Sequence, residues 1–168
     1  MDPARKSDPA AGKTGTTVER TSDLELVVTR TVDGPARLVF EAWARPELFQ
    51  RWWVPKSFGV TLISYEADVR TGGGYRLVMG HPSSEQPMAF FGRYIEVTPP
   101  SRLVWTNDEG GEAGPVTTVT FEDQDGATRV VVHELYPSKA ALDEAMASGS
   151  TTGWGEQFEQ LDHLVATL

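Results

Sequence analysis

Residues 154–168, WGEQFEQLDHLVATL, decide how the rest of the chain has to fold. Trp154, Phe158, Leu161, Leu164, Val165 and Leu168 recur at the spacing of one helical face, with Glu156, Glu159, Gln160 and Asp162 largely opposite. A helix with a single apolar stripe must bury that stripe against something. What precedes it reads mostly as strand: near residues 59–70, 74–80, 87–98, 102–107, 115–123 and 127–135, separated by Gly72-Gly73-Gly74, Pro82-Ser83-Ser84, Pro99-Pro100-Ser101, the Gly-rich stretch 110–114 and Asp123-Gln124-Asp125-Gly126. Connections this short favour antiparallel neighbours.

Further out, Leu24, Leu26, Val28 and Val32 alternate with more polar positions as a first strand. Asp33-Gly34-Pro35 then opens a short helix carrying Ala36, Val39, Phe40 and Trp43. Pro46 opens a second, with Leu48, Phe49, Trp52 and Trp53 on one face, and Pro55 stops it. Another short helix follows Pro137-Ser138. One strand, two helices, a meander and a long terminal helix have one economical arrangement, an α+β helix-grip fold in which a curved antiparallel sheet wraps the C-terminal helix. Residues 1–22 contain, beyond the first Met, one apolar residue larger than Ala, Val18, and are expected to be a disordered tail before a domain spanning 23–168.

The 168 residues carry a net charge of -9 and no Cys, so disulfides, thiolate metal sites and cysteine nucleophiles are excluded. Four basic and three acidic residues lie in 1–22, leaving eleven basic against twenty-one acidic in the remainder. Such a field repels phosphate backbones and anionic surfaces, so neither nucleic acid nor membrane is an expected partner. There is no apolar run long enough to span a bilayer and no signal-peptide pattern, and the expected compartment is the cytoplasm.

The segments RWWVPKSF (51–58), DVRTGGGYRLVM (68–79), FFGRYIEVTPPSRLVWT (90–106), VTTVTFED (116–123), GATRVVVHE (126–134) and TGWGEQFEQLDHLV (152–165) resemble the START-like (SRPBCC) superfamily. More narrowly they resemble the bacterial proteins named for homology to the C-terminal domain of the heat-shock-protein-90 ATPase activator. The resemblance covers residues 24–168. It implies a deep cavity between sheet and terminal helix, in which many relatives hold apolar molecules, while some catalyse reactions and the name-giving domain is a co-chaperone. Fold alone does not choose among these.

The aromatic residues supply candidate walls for that cavity: Trp53 and Phe58 around the second helix, Tyr75, Leu77 and Met79 on one strand parity, and Trp154, Phe158 and Leu161 on the terminal helix. Phe91 and Trp105 join them subject to which face of their strands is concave. Taken singly, each of these side chains reads first as core filling; it is as a group that they suggest a cavity wall. Glu134 shares its parity with Val130 and Val132, which would aim a desolvated carboxylate inward as acid, base or hydrogen-bond anchor. The alternatives are a solvated strand end for Glu134, or a reversed parity that brings His133 into the pocket.

Glu66, Asp68 and Arg70 on one strand side are better suited to a solvated ladder or an ion pair at a turn than to catalysis. Gly72-Gly73-Gly74 lacks the Lys-Ser/Thr and helix of a phosphate cradle, and His81, His133 and His163 lack metal-ligand spacing. No catalytic residue, metal or cofactor is assigned. The function expected is a cytoplasmic binding protein for a small apolar or aromatic molecule. A stress-related co-chaperone is one alternative, and a cavity enzyme using Glu134 or His133 another. A chaperone contact and a homodimer are the further candidate partnerships.

Overall fold

The computed structural model describes residues 15–109, 114–149 and 151–168. Eight strands form one antiparallel sheet: β1 (Thr16–Arg20), β2 (Glu25–Val32), β3 (Thr61–Ala67), β4 (Gly74–Gly80), β5 (Met88–Thr98), β6 (Arg102–Thr106), β7 (Val116–Gln124) and β8 (Ala127–Leu135). Their spatial order is β1-β2-β8-β7-β6-β5-β4-β3. The helices are α1 (Ala36–Ala44), α2 (Pro46–Phe49), α3 (Lys139–Ala147) and α4 (Trp154–Val165), with one 3-10 turn at Lys56–Phe58. Strand-to-strand hairpins make the β3-to-β8 meander, while the β2-to-β3 connection carries α1 and α2 across the concave face. The result is the α+β helix-grip arrangement anticipated from the terminal stripe.

Alternation sets which faces close on each other. Val28, Val32, Val119, Val130 and Val132 on β2, β7 and β8 are fully buried, and they meet Val39, Phe40 and Trp43 of α1 and Phe158, Leu161, Leu164 and Val165 of α4. Between the two helices and the sheet runs an aromatic stack. Trp43 lies with its ring centroid 4.8 Å from Trp52, 6.1 Å from Trp105, 5.9 Å from Phe121 and 6.3 Å from Phe158. The Trp52 indole N–H donates to the Ala42 carbonyl at 2.8 Å, which satisfies its buried donor. Among the described residues no helix is long and apolar enough to cross a membrane.

The N-terminal boundary differs from the expectation. Residues 1–14 of the expected tail lie outside the described residues, but Thr16–Arg20 form a strand that pairs with β2 from Thr16↔Arg30 to Arg20↔Leu26. This edge strand is held by ladder hydrogen bonds and by polar ties such as Arg30 Nη1 donating to Thr16 Oγ1 at 3.0 Å, and its Val18 is 38% exposed. With almost no apolar residue to bury, it leaves no hydrophobic period in the sequence.

The polar side of α4 is tied to the rest of the protein. Asp162 forms an ion pair with Arg30, an inward-facing β2 residue, and also accepts from the Asp33 amide at 3.4 Å. Gln160 donates to the Trp52 carbonyl at 2.8 Å and the Val54 carbonyl at 2.9 Å and accepts from the Lys56 amide at 3.0 Å. Glu156 accepts from the Ser57 amide at 2.9 Å and from its hydroxyl. The helix therefore clasps residues 52–57 from one side.

Candidate functional site

The space left between α4, the clasped segment and the meander half of the sheet is a cavity of about 500 Å³. That is well within the range of small-molecule sites. Eleven of its 25 lining residues are aromatic. Strand parity builds the sheet wall. Tyr75, Leu77 and Met79 project inward from β4, and the antiparallel register sets Leu77 opposite Phe90 and Tyr65, and Met79 opposite Met88. One turn of the meander later, the register runs from Tyr94 to Trp105, Thr117 and Glu134, a single row across four strands. At 4.8 Å per strand, that row carries the lining about 14 Å across the sheet.

The opposite wall comes from helices and the clasped segment. Phe49 stacks on Trp53 at 4.7 Å and on Tyr65 at 5.0 Å, and Trp53 meets the edge of Trp154 at 5.7 Å. Gln157 of α4 lines the cavity while its amide donates to the Trp53 carbonyl at 2.5 Å. Phe58 closes one edge against Gly153, where any Cβ would lie 3.3 Å from its ring, and at 42% exposure it forms part of the mouth with Met88.

One glycine is required by this geometry. A Cβ at Gly92 on β5 would sit 2.0 Å from the Thr106 carbonyl oxygen and 3.0 Å from the Tyr75 ring. The missing side chain is the space in which Tyr75 lies flat enough to send its hydroxyl to the Thr106 carbonyl at 2.9 Å and to Asn107 Oδ1 at 3.3 Å.

From Asn107 a polar chain crosses the far corner of the cavity. Asn107 Nδ2 donates to the Pro115 carbonyl at 2.7 Å and to Thr117 Oγ1 at 3.1 Å; the Thr117 hydroxyl donates to Glu134 Oε2 at 3.2 Å, and Tyr136 donates to Glu134 Oε1 at 3.4 Å. The Glu134 carboxyl opens on the cavity, so its own accessible area is intermediate, yet protein surrounds it more widely. That desolvation raises its pKa above the usual carboxylate range, against the lowering effect of the Thr117 and Tyr136 hydrogen bonds and of nearby His133. Burial also pushes the phenols up, Tyr94 to about 12 and Tyr65 and Tyr75 further, so these rings stay neutral and serve as hydrogen-bonding walls.

Of the residues singled out from sequence, Trp53, Phe58, Tyr75, Leu77, Met79, Trp105, Glu134 and Trp154 line the cavity together. Phe158 and Leu161 do not; both are fully buried in the core beneath it, because the α4 stripe is wider than the cavity and its middle packs on the sheet and α1. Phe91 is also outside: β5 presents Phe90 and Tyr94 inward, which turns Phe91 to the other face, 38% exposed. His133 lies on the outer face, with its Nε2 2.8 Å from Glu25 Oε2. Asp68 and Arg70 form an exposed ion pair at 2.7 Å beside the β3–β4 turn. Sequence reasoning missed Phe49, Tyr65, Phe90, Tyr94, Asn107, Thr117 and Tyr136. Pairing Tyr75, Leu77 and Met79 across one hairpin would have selected Phe90 over Phe91.

Solved structures with this fold include a protein from Rhodobacter sphaeroides, 22% identical with a TM-score of 0.81 over 91% of this chain and 99% of that one. Another, from Nitrosomonas europaea, is 24% identical with a TM-score of 0.78 over 88% and 97%. An AHSA1-like protein from Aeromonas hydrophila is 20% identical with a TM-score of 0.64 over 84% and 92%. At these identities the likeness establishes the fold. No curated protein sequence matches. The family model described as "Activator of Hsp90 ATPase homolog 1-like protein" matches residues 33–166, from just before α1 to the end of α4 and so across every wall of the cavity, and the chain belongs to that family.

Proposed function

We propose that this protein is a cytoplasmic, non-enzymatic binding protein that holds a small, largely apolar or aromatic molecule between the sheet and α4. The observation that carries the reading is the cavity of about 500 Å³ with an aromatic lining and a single polar corner. Binding would draw on burial of apolar surface, with orientation supplied by the Tyr75–Asn107–Thr117–Glu134 corner. No cofactor is invoked. An acid or base role for Glu134 has less support, since the other candidate, His133, is turned away toward Glu25.

The test is a thermal-shift screen of the purified full chain against apolar and aromatic probes and extracted metabolites, followed by tryptophan-fluorescence titration. A melting temperature that rises with probe concentration, and binding that weakens in Trp53→Ala, supports the reading. Absence of any shift across the screen refutes it. A chaperone contact is a second reading, favoured by the description of the family; it predicts a changed chaperone ATPase rate when this protein is added, and an unchanged rate removes it.

A further inference from the structure

The binding reading leaves the chemical class of the occupant open, and the polar corner narrows it. Every hydrogen bond that the corner side chains make runs the same way. Tyr75 gives its hydroxyl proton to Thr106 or Asn107, Asn107 gives both amide protons to Pro115 and Thr117, and Thr117 and Tyr136 give theirs to Glu134. Apart from the Trp43 indole N–H of α1, the one buried side-chain donor without a partner among the described residues, the donors of the corner are used up internally. What it still offers a ligand are lone pairs, chiefly those of the Glu134 carboxyl.

The charges agree with this direction. Two carboxylates, Glu134 and Glu109, line the cavity, and no Lys, Arg or His does among the described residues. Around them stand the faces of Tyr75, Trp105, Trp53 and Trp154, whose quadrupoles attract a cation within a few ångströms. A carboxylate ligand would meet a corner without a counter-charge, with the neutral Trp43 N–H as its one unspent buried donor. A protonated amine meets acceptors, a carboxylate and aromatic faces together. The acidity of the whole chain, -9 in total, adds a field of the same sign.

We propose that the natural occupant is an organic cation, a small apolar or aromatic amine whose ammonium group lies against Glu134 while its apolar body fills the aromatic cavity. This rests on the binding reading above and adds the polarity of the ligand's head. The walls would discriminate poorly among bodies of similar size, because apolar contact is adaptable. The corner would discriminate sharply among head groups, because an anion there leaves buried acceptors opposed and unpaired.

The experiment holds the body constant and changes the head. Naphthylethylamine, naphthylethanol and naphthylacetic acid are titrated against the full chain at neutral pH, by calorimetry and by quenching of tryptophan fluorescence. The expected order is amine, then alcohol, then acid, with the amine about tenfold or more tighter than the acid. In Glu134→Gln the ratio of amine to acid affinity should shrink by about tenfold. Acid binding as tight as amine binding, or a ratio unmoved by Glu134→Gln, overturns the head-group assignment and leaves the cavity reading intact. If none of the three binds while other apolar probes in the screen do, the head-group assignment falls alone; if nothing in the screen binds either, both fall. The wild-type series alone decides the head-group preference, so the test does not depend on the variant folding.

Discussion

Gln160 offers a quantitative test of how the cavity wall is held. Its side-chain amide spans the clasped segment with three hydrogen bonds, two donated to the Trp52 and Val54 carbonyls at 2.8 Å and 2.9 Å and one accepted from the Lys56 amide at 3.0 Å. Those bonds leave no ambiguity about which end of the amide is oxygen. Gln160→Ala removes all three. At roughly 0.5–1.5 kcal/mol net per bond, discounted because solvent reaches the outermost one, the loss should be about 2 kcal/mol. For a domain of this size that lowers the melting temperature by about 4–8 °C.

Gln160→Glu sharpens the test. It keeps the shape but replaces the donating amide with a carboxylate facing two carbonyl oxygens, so it should destabilise at least as much as alanine despite filling the same volume. Both variants are measured by thermal and urea unfolding followed by circular dichroism, at neutral pH where the new Glu is ionised. Apolar probe dissociation is followed in parallel and should quicken in both, because Trp53, Val54 and Pro55 of the loosened segment line the cavity. A Gln160→Glu protein as stable as wild type would refute the clasp, since no geometry with the amide donating could survive that substitution unharmed.

Three further outcomes follow from the packing and the charges. Trp53→Ala removes a ring stacked on Phe49 at 4.7 Å and edge-on to Trp154 at 5.7 Å, and fluorescence titration should show apolar probes binding about tenfold more weakly or worse. Asp162→Ala strands Arg30, whose side chain is only 11% exposed on the inner sheet face, and urea denaturation should show a loss of about 2 kcal/mol or more, with α4 and β1 loosening together in hydrogen exchange. Glu134 has a folded-state pKa raised by desolvation, so it binds its proton more tightly folded than unfolded. Stability from this group is present below its unfolded pKa and declines as pH rises toward the folded one, so Glu134→Gln should flatten the fall in melting temperature above about pH 4.5; a fall of unchanged slope would sink the assignment.

Much of the fold was legible because its elements are strongly periodic. The α4 stripe and the six-strand meander announce themselves, and β4 begins and ends at the residues that alternation and turns suggest. What escaped had a physical reason in each instance. β1 is held by backbone bonds and polar side chains, and these have no hydropathy period. Gln160, Glu156 and Asp162 look like a solvated helix face because a sequence cannot show that a loop folds over them. Phe91 and Phe90 are neighbours of one type, and alternation separates two faces without saying which is concave. Phe158 and Leu161 share the helical face of Trp154, yet a stripe does not reveal where core ends and cavity begins.

The vacancy at Gly92 makes the polar corner a by-product of the sheet's own geometry. The Thr106 carbonyl oxygen, 2.0 Å from where a Cβ at position 92 would sit, bars a side chain there whatever residue stands at 75, and the Tyr75 ring uses the space this leaves. Glycine is thus demanded by the backbone approach itself, and Tyr75 depends on that glycine without being its cause. A side chain at 92 would require β5 to move away from Thr106 even with a small residue at 75, and the corner that Tyr75 anchors would move with it.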